Sequence, residues 1–231
     1  MTILFVPGFM ADSTLWDDMV ALLDAPRPLQ FANLDTGDSI PGMALAVLDQ
    51  APADFVLVGF SMGGYVAREM ARLAPDRVQA LALIATSARE DSPEQARRKA
   101  SALRQLSSAR FSGLGRASVT ASVHPSRSRD EGLIERVRAM SIKLGKDVFA
   151  RQAAIQRDSD IDVLSEIRCP TLIVAADGDL LRSIEEAKEL VAGIPDAELA
   201  VIPGSGHMIP LEAPRALAET LSGWLKKTRT A

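Results

Sequence analysis

The sequence predicts an α/β domain: a doubly wound, mostly parallel sheet of about six strands, with a helical insertion between two of them. Three observations carry this. Short runs rich in Val, Ile, Leu and Phe, each closed by Gly, Pro, Asp or Ser, alternate with longer amphipathic segments. Most of these runs are apolar at consecutive positions, as strands covered by helices on both faces require. From 88 to 166 the alternation stops, and Ser, Arg, Glu, Gln and Ala dominate. A chain of 231 residues, 47% hydrophobic and 24% charged, has the length of one such domain with an insertion and the composition of a protein with a sizeable core.

In chain order, strands are predicted at 2–6, 29–34, 54–60, 78–86, 171–176 and 198–202. Ser13 precedes a segment whose Leu15, Trp16, Met19, Val20, Leu22 and Leu23 form one apolar stripe, so an N-capped helix is expected there. A helix after Ser61 is expected to turn Val66, Met70 and Leu73 inward and to stop at Ala74-Pro75-Asp76. Within the insertion, helical spacing returns in Leu133, Ile134, Val137, Met140, Ile142 and Leu144. A helix at 184–191 should end by Gly193, and a last one at 214–225 should run into Lys226-Lys227-Thr228-Arg229, a basic tail suited to a helix C-terminus. The domain division is therefore a core of 1–87 and 167–231 with an inserted helical lid at 88–166.

Charge and composition exclude several function classes. The chain has 26 Lys plus Arg against 30 Asp plus Glu, a net charge of −4, which gives a nucleic-acid partner no support. A lone Cys169 and two His leave no soft-ligand metal cluster and no internal disulfide, so neither metal nor cofactor is expected and a reducing cytoplasm fits best. The apolar start, Met1 to Val6, lacks a basic region and breaks at Pro7-Gly8, unlike a signal peptide. No run reaches membrane-spanning length, and a soluble protein is expected. The residues leave the oligomeric state open.

The sharpest local signal is Gly59-Phe60-Ser61-Met62-Gly63, a G-x-S-x-G between a predicted strand and a predicted helix. The glycines let strand and helix backbones approach while Ser61 projects its hydroxyl. A serine needs a base to act as a nucleophile. His207, in Gly204-Ser205-Gly206-His207 after the last predicted strand, emerges at the same strand ends as the Ser61 turn, whereas His124 falls inside the insertion and reads as a helix-end or lid residue. The base in turn needs an orienting carboxylate, and Asp177-Gly178-Asp179 follows the strand at 171–176. Asp177 is still held in the strand direction. Asp179 lies one flexible turn farther along and can fold back toward the histidine loop.

With Ser, Asp and His in that chain order, the sequence resembles the α/β-hydrolase fold superfamily, in its compact bacterial esterase-like branch. The residues carrying the resemblance are Phe5-Val6-Pro7-Gly8-Phe9, Gly59-Phe60-Ser61-Met62-Gly63, Arg168-Cys169-Pro170-Thr171-Leu172 leading to Asp179, and Gly204-Ser205-Gly206-His207 followed by Leu211-Glu212-Ala213-Pro214. The chain departs from the family pattern at Pro7, where His is usual, and at Ala176 and Leu180, where Gly and Pro are usual. It also starts on the strand that the family normally places third, so the resemblance implies a six-stranded sheet in the order 2-1-3-4-5-6.

The resemblance implies the roles as well. Ser61, Asp179 and His207 would be catalytic, with the backbone N–H groups of Phe9 and Met62 as the oxyanion hole. Met10, Leu180, Leu181 and Met208 would form an apolar substrate entrance. The expected activity is acyl-enzyme hydrolysis of a small-molecule carboxylic ester, lactone or thioester. Carbon-carbon bond hydrolysis, or a receptor of the same fold with slow or single turnover, uses the same three residues and stays open.

Overall fold

A computed structural model describes residues 1–24, 28–106 and 111–228. Arg229 of the basic tail lies outside them. Six strands, β1 (Thr2–Val6), β2 (Leu29–Phe31), β3 (Phe55–Phe60), β4 (Val78–Ile84), β5 (Thr171–Ala176) and β6 (Ala197–Ile202), form one sheet in the order β2-β1-β3-β4-β5-β6. Every pairing is parallel. The winding reverses between β1 and β3, where open α/β sheets leave a crevice at the strand C-termini.

Successive side chains on a strand point to opposite faces, and the core divides accordingly. Ile3, Phe5, Val56, Val58, Ile84 and Val174 face one layer, with Trp16, Met19, Leu217 and Trp224. Leu4, Val6, Leu57, Leu83 and Ile173 face the other, with Met43, Val66, Met70 and Leu190. The helices of these layers are α1 (Asp17–Val20), α2 (Ile40–Gln50), α3 (Met62–Leu73), then α4 (Pro93–Leu106), α5 (Arg116–Thr120) and α6 (Glu131–Ala154) in the insertion, and finally α7 (Ile184–Gly193), α8 (Ile209–Glu212) and α9 (Pro214–Lys227). No described helix is long and apolar enough to cross a membrane.

Several boundaries differ from expectation for local reasons. The edge strand β2 ends at Phe31, where its pairing with β1 at Ile3, Leu4 and Phe5 runs out. β4 stops at Ile84 because Ala85 turns into the left-handed region at φ 47°. The first helical turn is a 3-10 segment, Ser13–Trp16, and its N-cap is Asp12, not Ser13. The Asp12 carboxylate accepts from the Thr14 amide and hydroxyl and from Lys143, more than a serine hydroxyl can serve. Leu73 is half exposed, at the last position of α3 where the chain turns away at Ala74, and Ile142 is exposed on α6. The helix α2 is a feature the hydrophobic runs did not mark, although Ser39 caps it, Pro41 sits in its first turn, and Met43, Ala44, Val47 and Leu48 make its buried face.

The insertion is pinched where it joins the core. The Asp160 amide donates to the Ala88 carbonyl and the Asp91 amide to Arg157, 3.0 and 2.9 Å. Arg68, fully buried on α3, clamps the same neck by donating to Asp160 and to the Ser87 carbonyl. Inside the insertion, α6 breaks at Gly145, whose φ of 81° only glycine adopts without strain. Leu133, Ile134, Val137 and Met140 before the break pack into the core layer that holds α9.

Candidate active site

Ser61 sits between β3 and α3 with φ 51° and ψ −112°, a conformation that costs a non-glycine residue on the order of 1–3 kcal/mol. The surroundings hold it there. Its amide donates to the Ile84 carbonyl, and its own carbonyl accepts from the Thr86 hydroxyl, 2.9 and 2.8 Å. The turn closes only because Gly63 has no side chain, since a Cβ there would lie 2.3 Å from the Pro7 carbonyl oxygen. The elbow is thereby wedged against the loop that follows β1.

His207 lies within hydrogen-bond reach of both neighbours the sequence pairs with it. Its Nε2 is 2.9 Å from the Ser61 hydroxyl and its Nδ1 is 2.8 Å from Asp179 Oδ2. Its ring is nearly buried and packs on Phe60, centroids 5.2 Å apart. Asp179 uses its other oxygen to accept from the Leu181 and Arg182 amides, at 2.7 and 3.0 Å, so its carboxylate is fixed at both ends and its side chain is 1% exposed. Asp177 points elsewhere. It is exposed and accepts from the Gly204 amide.

Two further residues position these loops: Glu212, which falls in the Leu211-Glu212-Ala213-Pro214 stretch but has no role predicted there, and Gln152, which no motif marks. Glu212 accepts through one oxygen from the Gly206 and Met208 amides, on either side of His207, and through the other from the His124 amide of the insertion. Gln152, 2% exposed on α6, accepts from the Met10 amide and donates to the Leu34 carbonyl. Met10 has φ 53°, so this bond steadies another strained residue beside the site. Replacing Gln152 by leucine leaves a buried amide and a buried carbonyl unpaired, and is expected to cost about 2–4 kcal/mol, read as a fall in the urea midpoint of unfolding. An unchanged midpoint would show that water takes over both bonds.

A cavity of about 390 Å³ opens onto Ser61, His207 and Met62. Phe9, Met10, Leu181 and Met208 line it, as do Met140, Phe149 and Ile155 from the insertion. The hydrogen bonds of the loop after β1 leave the Phe9 amide without an acceptor among the described residues, and Met62 begins α3, where an amide has no helical partner. Leu180 corrects the expectation. It is 67% exposed and outside the cavity lining, because the Asp179 turn directs Leu181 and Arg182 inward in its place. His124 is also outside the lining; it caps the short helix Pro125–Arg127, and its ring rests on Gly178. A second cavity of about 320 Å³, between Asp12, Arg136 and Lys143, includes neither Ser61 nor His207.

The cavity is not apolar throughout. Gln95, Arg98 and Lys99 of α4, Arg157 at the neck and Arg182 beyond Asp179 line one wall. Burial opposes ionisation of Asp91 beneath them, but hydrogen bonds from Arg157 and Lys99 outweigh it and hold its carboxyl below the usual range. Burial, helped by the neighbouring Arg157 and Arg182 charges, holds the Lys99 ammonium below the usual lysine range although Asp91 opposes it. Among the described residues, no group of three or more His, Cys, Asp or Glu is placed to hold a metal ion.

The sheet order, the serine elbow at the winding reversal and the histidine loop at the far end of the sheet form one family's arrangement, and a family profile described as alpha/beta hydrolase fold matches residues 38–214. The chain belongs to the alpha/beta hydrolase fold family. A thermophilic esterase from Thermogutta terrifontis superposes on this hydrolase-fold chain with a TM-score of 0.85 over 99% of it and 90% of the esterase, at 27% identity. An enol-lactonase from Burkholderia xenovorans shares the fold, with a TM-score of 0.80 over 97% and 91% of the two chains at 20% identity. By sequence, a pimeloyl-[acyl-carrier protein] methyl ester esterase of Klebsiella pneumoniae is 48% identical over 59 residues, 24% of this chain and 23% of that protein. The corresponding esterase of Photobacterium profundum is 30% identical over 95 residues, 38% and 37%. These matches thus span well under half the length of the curated relatives.

Proposed function

We propose that this hydrolase-fold chain cleaves small carboxylic esters, with lactones and thioesters as chemically equivalent substrates, through an acyl-enzyme on Ser61. The reading rests above all on the series Asp179, His207, Ser61, hydrogen-bonded end to end at the mouth of a cavity beside two amides without acceptors. With Nδ1–H directed at Asp179, His207 presents the Nε2 lone pair to the Ser61 hydroxyl. His207 takes the proton as Ser61 Oγ bonds the carbonyl carbon, and the Phe9 and Met62 amides donate to the oxygen that becomes negative. The tetrahedral intermediate collapses, and the leaving alkoxide takes the proton from His207. Water then adds to the acyl group with His207 again as base, releasing the carboxylic acid and free Ser61. Asp179 stabilises the imidazolium formed in each half-reaction. Residues 88–166 serve as a lid that shapes the acyl site without taking part in proton transfer.

The esterase names among the relatives support an ester substrate, and the short insertion favours small or medium acyl groups. The test is a fluorophosphonate probe with p-nitrophenyl butyrate as substrate. One probe adduct on the peptide containing Ser61, with sustained multiple turnover, is expected. A single burst followed by arrest would assign the chain to the slow-turnover receptors of this fold instead. No adduct and no turnover would overturn the serine mechanism.

A further inference from the structure

In a chain of net charge −4, the wall of the cavity at Ser61 gathers Arg98, Lys99, Arg157 and Arg182 with no carboxylate among its lining residues. Arg98 is mostly exposed and paired with Glu94 at the rim. The other three lie deeper, with side chains 25%, 13% and 9% exposed. Two carboxylates serve them. Asp91 is shared by Lys99 and Arg157, and Glu186 pairs with Arg182 at 3.2 Å. Three cations against two acids leave one positive charge unmatched in a largely desolvated wall, where an unpaired charge is costly.

The donors are also incompletely used. Arg157 gives Nε and one Nη to Asp91, and Arg182 gives a single Nη to Glu186, so each retains an N–H edge with no acceptor among the described residues. Both guanidinium groups are held in place by the Tyr65 ring, with their carbons 5.3 and 6.0 Å from its centroid. Arg182 is anchored further, because its own amide donates to Asp179. A fixed, forked, cationic wall facing the same cavity as a nucleophilic serine suits a planar anion at a distance from the scissile bond.

We propose that the substrate is an ester bearing a carboxylate at the far end of an aliphatic spacer, with the carboxylate received by Lys99, Arg157 and Arg182 while the ester carbonyl lies at Ser61. This deepens the serine-hydrolase reading and rests on it. Apolar lining reaches toward both ends, with Phe149 packed on Phe9 beside Ser61 and Ile155 next to Lys99, whose ammonium donates to the Ile155 carbonyl, and this lining accommodates the spacer. The carboxylate belongs either to the acyl part, as in a half-ester of a dicarboxylic acid, or to the alcohol part, as in an acylated hydroxy acid.

Both forms are tested by pH-stat with matched pairs: monomethyl adipate against dimethyl adipate, and 6-acetoxyhexanoate against its methyl ester. In at least one pair the charged ester is expected to show about ten- to a hundredfold higher kcat/KM, the range of one charge-assisted hydrogen bond. The favoured pair identifies which side of the ester carries the charge. The preference should shrink in 0.5 M NaCl and should fall at least about tenfold in the Arg157→Gln/Arg182→Gln double variant. The salt series on the unmodified protein decides the matter if that variant does not fold. Turnover of the neutral esters with no preference for either charged partner would overturn this inference and leave the serine hydrolase standing. Failure of all four esters together with an unlabelled Ser61 would overturn both.

Discussion

Replacing Ser61 by alanine is expected to lower kcat on p-nitrophenyl butyrate by about a thousandfold or more, with the fold unchanged. Alanine keeps the Cβ and hence the strain at φ 51°, and the Ser61 amide and carbonyl keep their bonds to Ile84 and Thr86. The loss then reports chemistry, not refolding of the elbow. Circular dichroism and melting temperature should match those of the parent. Removing His207 as well should cost little beyond either single change, because a base without its nucleophile has nothing to activate. Losses that multiply in the double variant would show that the two side chains act independently and would count against the acyl-enzyme route. Ser61→Gly makes an informative companion: it should be as inactive but more stable, since glycine adopts that backbone freely.

The strands and the grouping of Ser61, Asp179 and His207 were legible in the sequence from local chemistry. A strand buried on both faces is a run of apolar residues, and β1 and β5, which stop at Pro7-Gly8 and Asp177-Gly178, have the bounds predicted for them. The elbow at Ser61 is legible because its glycines answer to close backbone contact within a few residues of each other. Gln152, Glu212, Lys99, Arg157 and Arg182 are different. Their roles depend on contacts between separate stretches of chain: Gln152 bonds residues 142 and 118 positions away, Glu212 joins the nearby Gly206 and Met208 amides to the His124 amide 88 positions back, Lys99 and Arg157 meet at Asp91, and Arg157 and Arg182 meet at the Tyr65 ring. No local spacing encodes the long-range pairs among these, and an isolated Gln, Lys or Arg reads as solvated surface. Leu180 failed in the opposite direction, as an apolar residue near the site that the Asp179 turn directs outward. The cationic wall was hidden for a further reason, since its charges are spread over three separate stretches of a net-acidic chain.

The second large effect is expected at Asp179, with Asp177 as its control. Asparagine at 179 keeps the size of the side chain, and its carbonyl oxygen can still accept from the Leu181 and Arg182 amides, so the turn should survive. Its NH₂ group then faces His207 Nδ1 in place of an oxygen. A donor there selects the tautomer with the proton on Nε2, so the ring presents a donor to Ser61 and has no lone pair for the hydroxyl proton. Turnover should fall by roughly a thousandfold to ten-thousandfold while near-ultraviolet circular dichroism is unchanged. Asp177→Asn should change kcat less than about tenfold, because the Asp177 side chain is exposed and an asparagine oxygen can keep the bond to the Gly204 amide. Measuring both variants on the same activated ester, where binding contributes least, isolates the proton-transfer defect. If Asp177→Asn proved the more damaging, the Gly204 loop would be controlling His207 more tightly than its own carboxylate partner, and the assignment of the orienting acid would pass to Asp177.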